Sequence, residues 1–172
     1  MTARPAPAPA PARGTSAPVI APEDPRTPDV RALLTRHLQA MHAQSPPEDV
    51  HALDVDALAA PQVTFLAARD ADGALLGVGA LARITPGHAE IKSMHTAAAA
   101  RRRGVAAALL DRLLALAAEQ GDDRVSLETG TQDGSAAARA LYERAGFVAC
   151  PPFAAYRPSP SSAFYTRLTP PR

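Results

Sequence analysis

The chain has 172 residues, 47% of them hydrophobic and 20% charged, enough to build one domain with a sizeable core and too apolar for a disordered chain. Its net charge of +1 gives no general attraction for polyanions, so nucleic acid is not an expected partner. A lone cysteine, Cys150, excludes an internal disulfide and a cysteine-built zinc site and fits a cytoplasmic setting, while the absence of a signal-like or membrane-length apolar run argues against a membrane partner.

Residues 1–17 alternate proline and alanine and are expected to form a disordered tail, leaving 18–172 as the single domain. "PVIA" (Pro18 to Ala21) is a short strand candidate. "PDVRALLTRHLQAMHAQ" then has helical spacing, with Val30, Leu33, Leu34, His37, Leu38 and Met41 on one face and Asp29 as the expected N-cap. That face makes His37 a core residue. "SPPEDVHALDVDALAAP" reads as a loop with one helical turn, and its His51 is either a cap or part of a binding site.

"QVTFLAARD" and "GALLGVGALARI" flank the turn "DADG" and predict an antiparallel hairpin. "HAEIKSMHT" is the next strand. Its alternation groups Glu90, Lys92 and Met94 on one face, opposite Ala89, Ile91 and Ser93. An amphipathic helix follows from about Gly104 to Gln120, with Val105, Leu109, Leu113 and Leu116 toward the sheet and Gly121 closing it. "DRVSLETG" is a strand, "GSAAARALYERAG" a helix ending at Gly146, and "FVAC" and "SAFYTRLT" the last two strands. The sum is an α+β fold with a mixed, mostly antiparallel central sheet and helices on both faces.

Just before the long helix stand Arg101, Arg102 and Arg103, followed by Gly104, Val105 and Ala106. Helix starts already carry partial positive charge, so three arginines there are unfavourable unless an anion sits opposite. Converging backbone N–H groups at a strand–loop–helix junction suit phosphate. The run is neither a P-loop nor a dinucleotide fingerprint. A bare surface patch is the bland alternative. Without neighbouring lysines or aromatics, the run makes a weak nucleic-acid footprint.

The motif Arg/Gln-x-x-Gly-x-Gly/Ala, present as residues 101–106, resembles the pyrophosphate loop of the GCN5-related N-acetyltransferase (GNAT) superfamily. The order of elements around it and "ALYERAGF" (Ala140 to Phe147) are similar to the same superfamily. "AEIKSM", "SLETG" and "PPF" followed by Tyr156 resemble a small bacterial subfamily within it. The resemblance runs from about Pro18 to Leu168. It implies acetyl-CoA as co-substrate, with pyrophosphate on residues 101–106, pantetheine along "EIKSMHT" with Thr96 among its contacts, and a backbone N–H near Met94 or His95 polarising the thioester. It implies further a primary amine of a small molecule or peptide as acceptor, attacking directly in a ternary complex.

The resemblance also assigns Tyr142 as proton donor to the departing thiolate and as a contact to the cofactor, against the bland reading of a core-edge tyrosine. Glu90 is the candidate general base, Glu128 its rival. Alternatively, Glu90 is an exposed carboxylate paired with Lys92 or Arg83. Where relatives often carry asparagine before the "ALY" helix this chain has Asp133, Gly134 and Ser135, and its late loop has Ser159, Pro160, Ser161 and Ser162 in place of Asp-Pro-Asn-Ser. No metal ligand set is evident, and Cys150 is expected to be a buried structural thiol. A homodimer is compatible with the sequence. Two other classes remain: a non-catalytic acyl-CoA-binding sensor or partner module, and a nucleotide- or nucleic-acid-binding domain built on the arginine loop.

Overall fold

In a computed structural model of the chain, residues 17–43 and 53–169 are described. The Pro/Ala-rich segment (apart from Ala17) and His51 lie outside the described residues. Among the described residues the strands are β1 (Val19–Pro22), β2 (Val63–Arg69), β3 (Leu75–Thr85), β4 (His88–Thr96), β5 (Arg124–Gly130), β6 (Val148–Ala149) and β7 (Ser162–Leu168). The helices are α1 (Pro28–His42), α2 (Val55–Leu58), α3 (Val105–Glu119) and α4 (Ala136–Arg144). One seven-stranded sheet has the order β1-β2-β3-β4-β5-β7-β6, antiparallel throughout except where β4 meets β5. The described residues contain no helix long and apolar enough to cross a membrane.

Strand alternation divides the apolar residues between two cores. Leu66, Ala68, Leu81 and Ile91 pack on one face against Val105, Leu109 and Leu113 of α3. Phe65, Ala67, Val78 and Ala80 pack on the other against Val30, Leu33 and Leu34 of α1. β3 uses glycine to bring α3 close. A Cβ on Gly77 would lie 2.9 Å from the His95 carbonyl oxygen and 3.1 Å from Val105, and one on Gly79 would lie 3.1 Å from Leu113. A Cβ at Gly77 would press on the β4 backbone, and one at Gly79 on the ends of the Leu113 and Met94 side chains.

Helix α1 begins differently from the sequence expectation. Thr27, not Asp29, holds the N-cap position, without a side-chain cap, and Pro28 opens the helix with a φ already suited to it. Asp29 lies in the first turn and is turned to another use. Together with Glu23 it binds the Arg69 guanidinium of β2, at 2.7 Å for Arg69 Nη1 to Asp29 Oδ2 and 2.9 Å for Arg69 Nε to Glu23 Oε2. The arginine thus ties β1, β2 and α1 at one corner.

These bonds hold both carboxyls below their ordinary values, the Arg69 hydrogen bond being the largest cause in each case. Because the folded pKa values are depressed, the stabilisation is fully present above the unfolded values near about 4 and is lost as pH falls through the folded ones. The midpoint of urea unfolding should therefore drop between about pH 5 and pH 2. In Arg69→Gln that drop should be shallower and the midpoint at pH 7 lower, and an unaltered pH profile would refute the corner's role.

Candidate functional site

The site begins where β4 leaves β5. Parallel pairing runs from His88↔Arg124 to Ile91↔Leu127 and stops. β5 then continues with β7 as its antiparallel neighbour, out to Gly130↔Ser162. Residues 92–96 of β4 therefore keep β3 on one side and face a gap on the other. At the same place β4 carries an extra residue: between Val78↔His95 and Ala80↔Lys92, two steps on β3 oppose three on β4. Ser93 absorbs the difference at φ +53, a left-handed value rare for a side chain with a Cβ.

This bulge corrects the expected alternation. Glu90 and Lys92 do share a face, but Met94 is turned to the other, against Gly79 and the α3 core. A pocket of about 130 Å³ opens at the gap, and its walls come from both faces of the sheet: Ile91, Met94 and Tyr142 from the α3 side, Glu90, Lys92 and Tyr156 from the other. A second, roomier cleft continues from Met94 and Ser135 past His95 and Thr96 to Arg101. His37, Met41, Met94 and Ser135 line both, so the two form one passage from the arginine loop to Glu90.

At the loop end, Arg101, Arg102 and Arg103 are exposed and lie just before α3, in the turn rather than in the helix's first turn. Arg101 is extended, Arg102 is left-handed at φ +61, and Gly104 takes φ +77 as N-cap. No side chain caps α3 and no acidic residue stands in its first turn. Val105 is buried and anchors the turn, and Ala106 is half-buried. The result is a helix start with unpaired N–H groups and three arginines whose side chains make no hydrogen bond to the described residues, the Arg101 backbone N–H donating to the Ala98 carbonyl at 3.4 Å, an arrangement suited to a polyanion.

At the other end, Glu90 is 7% exposed and tightly held. Lys92 Nζ donates to its Oε1 at 2.9 Å, and the Tyr156 hydroxyl donates a short hydrogen bond to the same oxygen. Lys92 Nζ also donates to the Tyr156 oxygen at 2.6 Å. The alternative reading is thus half right: Glu90 is paired with Lys92 but is buried, not exposed, and Arg83 instead stands 4.0 Å from Asp122. Tyr156 comes from the loop between β6 and β7 and is fixed by edge contact with Phe153 and by Phe164, at 5.1 and 5.4 Å between ring centroids. Burial, and then the Glu90 charge, push its phenol above the ordinary tyrosine value. Sequence reasoning quoted Tyr156 but gave it no role, since a contact across 66 residues leaves no local pattern.

Between these ends stand Tyr142 and two histidines. Tyr142 is 6% exposed, makes edge contact with Phe147 at 5.9 Å, and has its phenol pushed up to about 12 by burial and then by the Glu128 charge. Glu128 lines the same pocket. His37 is not in the core as expected. It is half-buried in the passage and stacks on His95 at 4.4 Å. Burial lowers both imidazoles, His95 to about 4 with help from His37, so the pair is uncharged at neutral pH. Cys150 is half-buried, its thiol raised by burial, and sits outside this passage near β7.

Comparison with known proteins agrees with this arrangement. The chain is 44% identical over 138 residues to "Uncharacterized N-acetyltransferase YsnE" of Bacillus subtilis (strain 168), covering 80% of this chain and 91% of that one. It is 47% identical over 137 residues to "Uncharacterized N-acetyltransferase YedL" of Escherichia coli (strain K12), covering 80% and 86%. A solved structure described as an acyl-CoA N-acyltransferase, from Klebsiella pneumoniae, superposes with a TM-score of 0.72 at 28% identity, covering 88% of this chain and 97% of that one. The model of the acetyltransferase (GNAT) family matches residues 28–147, and the chain belongs to that family.

Proposed function

We propose that the protein transfers the acetyl group of acetyl-CoA to a primary amine of a small molecule or peptide by direct attack in a ternary complex. The observation that carries this reading is the single passage joining the uncapped, arginine-flanked start of α3 to the buried carboxylate of Glu90. Residues 101–106 would hold the pyrophosphate through backbone N–H groups, with the arginine side chains adding charge. The pantetheine arm would lie along residues 92–96, where β4 lacks a neighbour on the β5 side. Backbone N–H groups near Met94, His95 and Thr96 would then stand beside the thioester carbonyl.

Glu90 is the proposed base, directly or through water, and its bonds to Lys92 and Tyr156 fix the orientation of the carboxylate. Tyr142, across the same pocket, is the proposed donor to the departing thiolate. Residues 18–172 are proposed to act as one domain. Cys150 takes no part, because direct attack needs no acyl-enzyme.

The test is release of free CoA thiol from acetyl-CoA across a panel of amines, in a Cys150→Ser background that removes the protein's own thiol. Amine-dependent release establishes the transfer. Acetyl-CoA that raises the melting temperature yet is not turned over with any amine would favour an acyl-CoA-binding module instead. No binding at all would reject the donor.

A further inference from the structure

We propose that the side-chain hydroxyl of Ser93 donates a hydrogen bond to the thioester carbonyl oxygen, beside the backbone N–H groups of β4. This rests on the acyl-CoA reading above and deepens it. Three observations converge on Ser93. It occupies the bulge itself, at φ +53, where most residues with a Cβ are strained. It lies two residues beyond Ile91, the last β4 residue paired with β5, so it stands where the gap opens. Its Oγ is buried with no hydrogen-bond partner among the described residues, although the residue lines the pocket that also holds Glu90 and Tyr142.

Each of these features is costly by itself. Glycine would relieve the backbone at no steric cost, and alanine would remove the unmet hydroxyl. A serine here combines both penalties, which is reasonable if an acceptor oxygen arrives with the ligand. Oγ is out of solvent's reach without ligand, so a χ1 rotation would bring it into the pocket that Ser93 lines, where the acyl carbonyl would enter between β4 and Tyr142. The hydroxyl would contact the reacting carbonyl and share the negative charge that develops on its oxygen as the amine adds.

The experiment compares two ligands that differ in this oxygen: acetyl-CoA, and S-ethyl-CoA, a thioether without the carbonyl. Both are titrated calorimetrically into the wild-type protein, Ser93→Ala and Ser93→Gly. The expected result is that both variants bind acetyl-CoA about fivefold more weakly and bind S-ethyl-CoA as the wild type does. Melting temperatures of the free variants should equal or exceed the wild-type value, since each variant loses a penalty. Equal losses for both ligands, or no loss for either, would overturn the proposal. If the wild-type protein bound neither ligand, the acyl-CoA reading itself would fall, and the Ser93 assignment with it.

Discussion

Tyr142→Phe is expected to lower kcat by about ten- to a thousandfold while leaving acetyl-CoA binding within about twofold of the wild type. The substitution removes one oxygen and keeps a ring that is 6% exposed and packed edge-on against Phe147. The hydroxyl makes no hydrogen bond to the described residues, so folding loses nothing with it. Removing a hydroxyl that faces the pocket and has no hydrogen-bond partner among the described residues should leave the melting temperature nearly unchanged. Stability should thus hold while turnover falls, which a merely structural tyrosine would not produce.

The pKa of about 12 sharpens the role. At neutral pH the phenol is fully protonated and always available as a donor. Full proton transfer to a thiolate of ordinary pKa, about 8.5, would be uphill by several units. Under the proposed mechanism Tyr142 would act mainly by holding a hydrogen bond to sulfur as its charge grows, while the proton that the attacking nitrogen gives up through Glu90 would reach the departing thiolate by way of solvent. Such a bond strengthens only in the transition state, so the loss should fall on kcat and spare KM for acetyl-CoA. The measurement needs an accepted amine and single-turnover kinetics to separate chemistry from release. Unimpaired chemistry in Tyr142→Phe would assign the residue to packing alone.

What was legible in the sequence followed from local periodicity. The β2–β3 hairpin was marked by an Asp-Gly turn between apolar runs, and α3 by its apolar stripe and closing Gly121. The succession of strand, loop, helix and strand around the arginine run was readable because each of those elements is long enough to show its period. Three things were not. Alternation failed at Ser93, because an extra residue in one strand inverts every facing beyond it and nothing in "EIKSMHT" announces the insertion. His37 fell on the apolar face of α1 by spacing, yet α1 continues past the core it covers and its later turns overhang the passage. The Glu90–Lys92–Tyr156 cluster was half visible: opposite charges two apart on one strand face foretell a pair, whereas the tyrosine reaches it through tertiary folding of an irregular loop. The arginine run was the reverse case, since its meaning lay in what was missing. A helix start with no acidic residue and no capping side chain is costly by itself and economical beside an anion.

That last point yields the strongest test of the cofactor loop, in Gly104. Acetyl-CoA at a hundredfold excess over its Kd should stabilise the native protein by about 2.7 kcal/mol and raise its melting temperature by about 5–10 °C. Gly104→Asp should reduce that rise to below about 1 °C, for a reason separable from damage to the fold. Gly104 sits at φ +77, and a Cβ built on it meets nothing within 4 Å. The position is therefore uncrowded, and aspartate and asparagine are among the residues that best tolerate a left-handed backbone. The two substitutions have nearly the same shape and strain and differ in one charge. Near the unpaired N–H groups of α3 and three arginines, the aspartate carboxylate should stabilise the ligand-free protein relative to asparagine. The same carboxylate would stand where the pyrophosphate belongs and repel it. Gly104→Asp should accordingly melt at or above Gly104→Asn without ligand and well below it with acetyl-CoA. A ligand-induced rise of equal size in the two variants would mean that no anion binds at this helix start, and the pyrophosphate assignment would have to be abandoned.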